Sequence, residues 1–524
     1  MNPNIEWIPN WVLVHGPALL VVLPLLIAVL VAILPSKAKW AEKIAWGAVL
    51  TTSLVCVFLS LSVLLLVLNS GPYTYAMGGW APPMGISYYI DSLNAPILVL
   101  ISTIATLCTL YALPSVMAEI EPKKRSPFYA TFLVALAGLL GMVTTGDAFN
   151  VFVFLEVSSL STYVLVAMGA SRDRRALTSA YNYLIMGSIG ATFFVIGIGF
   201  LYMHTGTLNM IDIARVLQET GPDNRVVKLA FVFIVIGLGL KLAMFPLHTW
   251  LPGVYAYAPS FVTAFLAATA TKAALYLLLR FTFTVFDPNW AFVAKFLMYL
   301  LAGAGIIGMV IASIQAIFQN DIRRILAFSS VAQVGYMLLG IGMATTLGLT
   351  AGYLHMINHA LIKGALFLAV GAFWYRFGIT QVSDMRGLGK TMPLTMAGFT
   401  IAGLSLIGVP GTVGFVSKLA LVRAAAENGW WWAVGVIVVT SILAIIYIGR
   451  VIELAYFQSP PKQGAVTVSK NEAPLSMLIP LWILAVAAIV FGVNAEWTIG
   501  LAELAAKVLD AGPITNLVPV SGGH

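Results

Sequence analysis

The sequence predicts an all-α polytopic membrane protein. It has about fourteen transmembrane helices, ten of them in two inverted five-helix repeats, with helices 7 and 12 discontinuous. Three observations carry this. Apolar residues make up 60% of the 524-residue chain and charged residues only 9%. A soluble domain carries roughly 25% charged residues, so a water-facing surface around a chain of this size is excluded. The apolar residues collect in runs of about 20 or more, the length that crosses a bilayer. Basic residues recur in every second connection, as spans of alternating direction require.

Taken in order, the runs lie at roughly 16–35, 44–68, 92–113, 127–145, 148–169, 178–203, 228–246, 259–283, 290–317, 324–344, 347–375, 394–425, 430–457 and 474–494. They are too long, and too little alternating, for the ~10-residue strands of a membrane barrel. Residues 1–126 hold helices 1–3. Residues 127–283 form the first repeat (helices 4–8) and 290–457 the second (helices 9–13). Residues 458–524 hold helix 14 and a tail, whose ELAAKVL reads as a short interfacial helix. No basic region precedes the first run, so no cleavable signal is expected. Cys56 and Cys108 lie inside apolar runs and read as small packing residues.

The net charge is +8, from 28 Lys+Arg and 20 Asp+Glu. Topology accounts for the excess better than nucleic acid does. Connections after odd-numbered helices carry Lys37, Lys39 and Lys43; Lys123, Lys124 and Arg125; Arg172, Arg174 and Arg175; Arg323 and Arg324; Arg376, Arg386 and Lys390; Lys462 and Lys470. The exception among the even connections is the longer segment 204–227, with Arg215 and Arg225 among Asp212, Glu219 and Asp223. By the positive-inside rule both termini lie outside a multi-pass cell membrane. The short loops leave no room for a nucleotide, flavin or iron–sulfur domain. No cofactor is expected, and redox chemistry would have to come from another subunit.

Glu156 stands apart from the other acidic residues because it falls well inside a run, in NVFVFLEVSSLSTY. An intramembrane charge faces a bundle interior or a water cavity. One reading is a structural ion pair that locks two helices. A transport role is favoured because Lys241, Lys272, Lys363 and Lys418 share the same situation. Snorkelling, in which a long stem carries its charge to the interface, suits Arg280, Lys295, Arg423 and Arg450. It fits Lys272 and Lys363 poorly, since both have long apolar flanks. His355, His359 and Lys363 are spaced i, i+4, i+8 and share one stripe of a helix. Two histidines at that spacing can bind a metal, but Lys363 on the same stripe repels a cation. A proton-conducting stripe is favoured over that and over plain polar packing, because histidine titrates nearest neutral pH.

Two runs are interrupted. Helix 7 meets Pro246, His248 and Pro252 within KLAMFPLHTWLP, and helix 12 meets Pro410 within IGVPGTVGFVSK. A proline frees the carbonyl four residues earlier, here Leu242 and Leu406. Open backbone at membrane depth is tolerated only against protein or a wet cavity. Five spans separate the two breaks. Five is odd, so repeats that place them equivalently are inverted.

These residues resemble a known family. TGDAFNVFVFLEVSSLSTYVLVAMGA, KLAMFPLHTWLPGVYAYAPSFVTAFLAATATKAALYLLLR, RRILAFSSVAQVGYMLLGIG, HMINHALIKGALF and GVPGTVGFVSK together look like the proton-conducting, antiporter-like membrane subunits. That family includes the D subunit of Mrp-type Na⁺/H⁺ antiporters, three subunits of respiratory complex I and relatives in membrane-bound hydrogenases. EVSSLSTYVLVA and SSVAQVGYMLLGIG look most like the Mrp D subunit, whereas GVPGTVGF departs from the family's usual Pro-Leu-Ser-Gly. The resemblance implies that Glu156 and Lys241 are the charged pair of the first half-channel. It implies that Lys272 is a central relay, continued by His355, His359 and Lys363, and that Lys418 ends the second half-channel. The function so implied is proton translocation in a multisubunit monovalent cation (Na⁺)/proton antiporter, with other membrane subunits as partners. The alternatives are a pumping subunit of a redox complex and a solitary solute transporter.

Overall fold

The protein was analysed as a computed structural model, which describes residues 6–35, 38–459 and 471–516. Lys37, Lys462 and Lys470 of the basic connections lie outside the described residues.

Helix follows wherever a run of about 20 apolar residues has no other way to satisfy its backbone in lipid. The helices are α1 (Asn10–Ala32), α2 (Lys39–Ser70), α3 (Ala95–Glu119), α4 (Arg125–Thr144), α5 (Ala148–Ala167) and α6 (Arg175–Thr205), then α7 (Met210–Thr220), α8 (Arg225–Leu242), α9 (Leu251–Tyr257) and α10 (Ser260–Leu279). They continue with α11 (Ala291–Lys295), α12 (Ala302–Ile317), α13 (Ile322–Gly342), α14 (Thr346–Phe377), α15 (Leu388–Thr391), α16 (Pro393–Ile407), α17 (Val413–Glu427), α18 (Trp431–Phe457), α19 (Leu475–Val493) and α20 (Glu496–Asp510). Among the described residues, 12 helices are long and apolar enough to cross a membrane. The two remaining runs are the pairs α8/α9 and α16/α17, split where the prolines foretold.

Two further elements were not foreseen. A hairpin pairs β1 (Tyr73–Ala76) with β2 (Ser87–Ile90), Tyr73 opposite Ile90. The long segment 204–227 holds α7, whose Met210, Ile213, Ala214 and Leu217 turn inward. The tail forms α20, the helix expected around ELAAKVL, which buries Ala502, Ala505, Ala506 and Leu509 and packs on α14. Cys56 and Cys108 are free and buried, as packing residues.

The interior is built by three helices. Every residue of α13 except Arg324 is buried, and α10 and α14 are buried almost throughout. Around them α18 and α19 keep wide apolar faces exposed, for example Val438, Ile442 and Ile446 on α18 and Ile479, Ile483 and Val486 on α19. Those are lipid-facing stripes of a bundle whose centre is fully packed.

Two local signatures mark an internal repeat. Asp147 caps α5, and its segment bridges to Asn209, with Ala148 N–H on Leu208 O and Met210 N–H on Gly146 O. Asp321 caps α13, and its segment bridges to Gln381, with Ile322 N–H on Thr380 O and Val382 N–H on Asn320 O. The same short bridge thus joins the start of the fifth span to the end of the sixth, and the start of the tenth to the end of the eleventh. Five crossings separate the two copies, which fits the inverted arrangement.

Candidate functional site

α8 ends at Leu242 because Ala243 takes a left-handed conformation (φ 59°), which turns the chain into the Pro246 segment. Pro246 lies in this gap with His248, whose buried ring stacks on Phe245 at 5.3 Å. Pro252 opens α9, a position where its missing N–H costs nothing. The Trp250 indole donates to Leu240 O at 3.0 Å. The carbonyl engaged at this break is therefore that of Leu240, two residues before the expected Leu242.

Lys241 is the last basic group before the gap. Its ammonium donates to Ser159 Oγ of α5 and lies over the rings of Tyr163 (5.8 Å) and Tyr183 (5.5 Å). Among the described residues Glu156, one turn before Ser159, makes no ion pair, and its buried Oε1 has no hydrogen-bond partner. The pairing expected for Glu156 and Lys241 is therefore open here, with a serine hydroxyl in the carboxylate's place. Lys241 also lines a cavity of about 10 Å³ with Ser158, Thr162 and Ala270, room for roughly one water.

The second break is built differently. Gly408 sits at φ 96°, Pro410 lies in the gap, and α17 restarts at Val413. Lys418 folds back from α17 and donates to Leu406 O (3.0 Å) and Ile407 O (2.9 Å), the open carbonyls ending α16, and to Ser441 Oγ (3.1 Å). A cation is the natural group for the carbonyl end of a helix. The carbonyl freed by Pro410 is the expected Leu406. α16 and α17 come close because residue 414 is glycine; a Cβ there would overlap Ser405 O.

Between the breaks lie the other groups, all buried. Lys272 on α10 donates to Ala267 O and lies 3.3 Å from Thr271 Oγ1. Lys363 on α14 donates to Leu326 O (2.8 Å) and to Ser329 Oγ of α13. His355 Nε2 faces Gln333 Oε1 (2.9 Å) and Nδ1 faces Ser417 Oγ (2.9 Å). An amide oxygen only accepts, so Nε2 carries the ring proton and Nδ1 accepts from the serine. His359 stacks near His355, ring centroids 6.4 Å apart, and neither of its nitrogens has a partner. Tyr336 ties the row to the second break: its ring lies 5.4 Å from that of His355, and Lys418 Nζ sits 4.9 Å above it.

The structure thus gathers Lys272, His359, Lys363, His355 and Lys418 around α10, α13, α14 and α17, and sets Glu156 and Lys241 apart in a second group on α5 and α8. A group able to hold a proton recurs through a buried interior, each lysine beside a hydroxyl or carbonyl that accepts from it. No set of three or more metal-binding side chains occurs among the described residues.

Sequence reasoning missed the partners. Ser159, Ser329, Gln333, Ser417 and Ser441 stand beside the charged residues, but small polar residues are common in membrane helices and carry no distinguishing mark. It also misjudged Arg280, which does not snorkel. Its side chain is 1% exposed and forms a two-pronged ion pair with Asp91, both bonds 2.8 Å. Arg172 and Arg323, read as loop charges, are turned inward.

Residues 145–444 match the family described as NADH:quinone oxidoreductase/Mrp antiporter, TM. The chain is 42% identical over 494 residues to NADH-quinone oxidoreductase subunit N of Desulforudis audaxviator, covering 92% of this chain and 96% of that one. It is 31% identical over 478 residues to the D subunit of the Na(+)/H(+) antiporter of Alkalihalophilus pseudofirmus, covering 89% and 93%. Its fold superposes on a chain of the membrane-bound sulfane sulfur reductase, an archaeal respiratory membrane complex, with TM-score 0.85 and 30% identity, over 96% of this chain and 100% of that one.

Proposed function

The chain belongs to the NADH:quinone oxidoreductase/Mrp antiporter family of transmembrane subunits, and on that premise we propose that it moves protons along its buried row of titratable groups. The observation that carries this reading is the cluster of Lys272, His359, Lys363, His355 and Lys418 in a fully packed interior. Burying five such groups is costly, and a merely structural bundle has no use for them.

Lys241 has two partners in turn. Against the Glu156 carboxylate its charge is held, since unit charges 4 Å apart attract by ~4 kcal/mol at an effective dielectric of 20. On Ser159 that attraction is weaker, and the proton is freed toward Lys272 through the small cavity beside Ala270. The charge then passes His359, Lys363 and His355 to Lys418, which can release it at the open end of α16.

The protein works with other membrane subunits. The antiporter relative supports exchange of Na⁺ or another monovalent cation for protons. The NADH-quinone oxidoreductase relative, with the higher identity, supports a redox-driven complex. Purification with native partners separates them: small antiporter subunits for the first, iron–sulfur subunits for the second. Glu156→Gln and Lys241→Ala should each abolish driven proton movement in vesicles while the complex still assembles. Unimpaired movement in either variant overturns the proton path.

A further inference from the structure

On the face carrying the arginine-rich loops, four parts of the chain converge on one turn, Ala256–Ser260, between α9 and α10. Arg172, from the turn after α5, donates to Ala256 O and Ala258 O, both at 3.2 Å. Arg323, from the first turn of α13, reaches the same two carbonyls at 3.5 Å and donates to Ser260 Oγ at 2.8 Å. Glu119, at the end of α3, accepts from Ser260 N–H with both oxygens (3.1 and 3.0 Å) and pairs with Arg172 at 2.7 Å. Trp374 of α14 lies under the Arg172 guanidinium at 5.2 Å.

The backbone is shaped for this convergence. A Cβ on Gly169 would meet Tyr257 O at 2.6 Å, and one on Gly371 would meet Ser260 Cβ at 2.7 Å. The turn is thus pressed from both sides by elements that only glycine lets approach. The charges match the helix ends they touch: two guanidiniums on the carbonyl end of α9, one carboxylate on the amide end of α10.

We propose that Glu119, Arg172 and Arg323 are a clamp of positioning residues that keeps the Glu156/Lys241 group in step with Lys272 and the α13–α14 row. This rests on the proton path proposed above. Arg172 follows the helix that carries Glu156 and Ser159. α9 follows the break beside Lys241, and α10 carries Lys272. Arg323 begins the helix whose Ser329 and Gln333 hold Lys363 and His355. A shift of α5 as the Glu156–Lys241 pair opens therefore pulls on the turn that seats α10, and the turn pulls on α13. Among the described residues the Arg323 side chain makes no ion pair and donates only to neutral oxygens of the turn. It grips backbone geometry and leaves the carboxylate to Arg172.

The test uses the intact complex in vesicles, with proton movement followed by a pH-sensitive dye and normalised to assembled protein. The double variant Arg172→Gln/Arg323→Gln should lose about tenfold in rate, a typical coupling between sites. Its pH profile should broaden, because Lys241 and Lys272 then titrate independently. Arg172→Lys/Arg323→Lys should recover much of the loss, a rescue that a packing role would not give. An unchanged rate and pH profile in the Gln variant overturn the clamp. If that variant does not assemble, Ser260→Ala decides, since it removes one acceptor and keeps every charge. A lowered rate with a broadened profile supports the clamp, and wild-type behaviour overturns it. Glu156→Gln is the control: if it moves protons normally, the path itself has failed, whatever the clamp variants do.

Discussion

Each lysine of the two groups is held by neutral oxygens. Ser159, Ser329 and Ser441 accept from Lys241, Lys363 and Lys418. A hydroxyl can accept from an ammonium and, by turning, donate to a neutral amine. It therefore tolerates both charge states, where a carboxylate favours one. Ser441→Ala should slow proton movement several-fold while Ser441→Thr stays near wild type, as read by initial rates in vesicles; equal rates in both would remove the hydroxyl from the mechanism. Asp91 and Arg280 are the opposite case, a permanent buried pair. Asp91→Ala strands a guanidinium among Tyr89 and Tyr276 and should cost about 3–5 kcal/mol. Asp91→Leu combined with Arg280→Met should cost less than that single change. Thermal unfolding of the purified protein checks the order. Arg280 lies near a helix end, so local spacing could not tell a snorkelling arginine from a paired one. The partner is far along the chain, and nothing near either residue announces it.

At the scale of elements, the two broken helices are stabilised by different means. The first relies on a left-handed residue that is not glycine, Ala243 at φ 59°. Ala243→Val places a β-branched side chain in that conformation and should destabilise by about 2 kcal/mol. Ala243→Gly should be tolerated, and comparison of the two melting curves tests the assignment. The second relies on close approach. Gly414 leaves no space for a Cβ against Ser405, and Gly492 of α19 lies so close to Thr412 that a Cβ would overlap its backbone. Gly414→Ala should force α16 from α17, remove Lys418 from Leu406 O, and reduce both assembly and proton movement. Both breaks were legible because proline acts on the chain beside it. The carbonyl each break leaves open was legible only at Leu406. At the first break Trp250 reaches a different carbonyl, a choice made by how α9 folds back.

At the scale of the molecule, the crossings alternate, and from the loop charges we propose that both termini lie outside. Single cysteines at Asp287 and Asn224 should react with an impermeant thiol reagent in intact cells, and those at Lys123 and Lys390 only after permeabilisation. The reverse pattern would invert the orientation and the direction of proton flow. The paired bridges at Asp147/Asn209 and Asp321/Gln381 place the two repeats in the same register relative to their spans. They escaped notice in the sequence because each depends on a few backbone hydrogen bonds between segments some sixty residues apart.

The chain by itself determined how many times it crosses, where two crossings break and which residues are charged at depth. Hydropathy, loop charge and proline all act within about 20 residues, the thickness of the bilayer. Packing decided which groups meet. Lys241 rests on Ser159 instead of Glu156, the histidines join Lys418 through Tyr336, and two arginines from different repeats grip one turn. Those encounters depend on distances between helices far apart in sequence, which only the assembled bundle brings together.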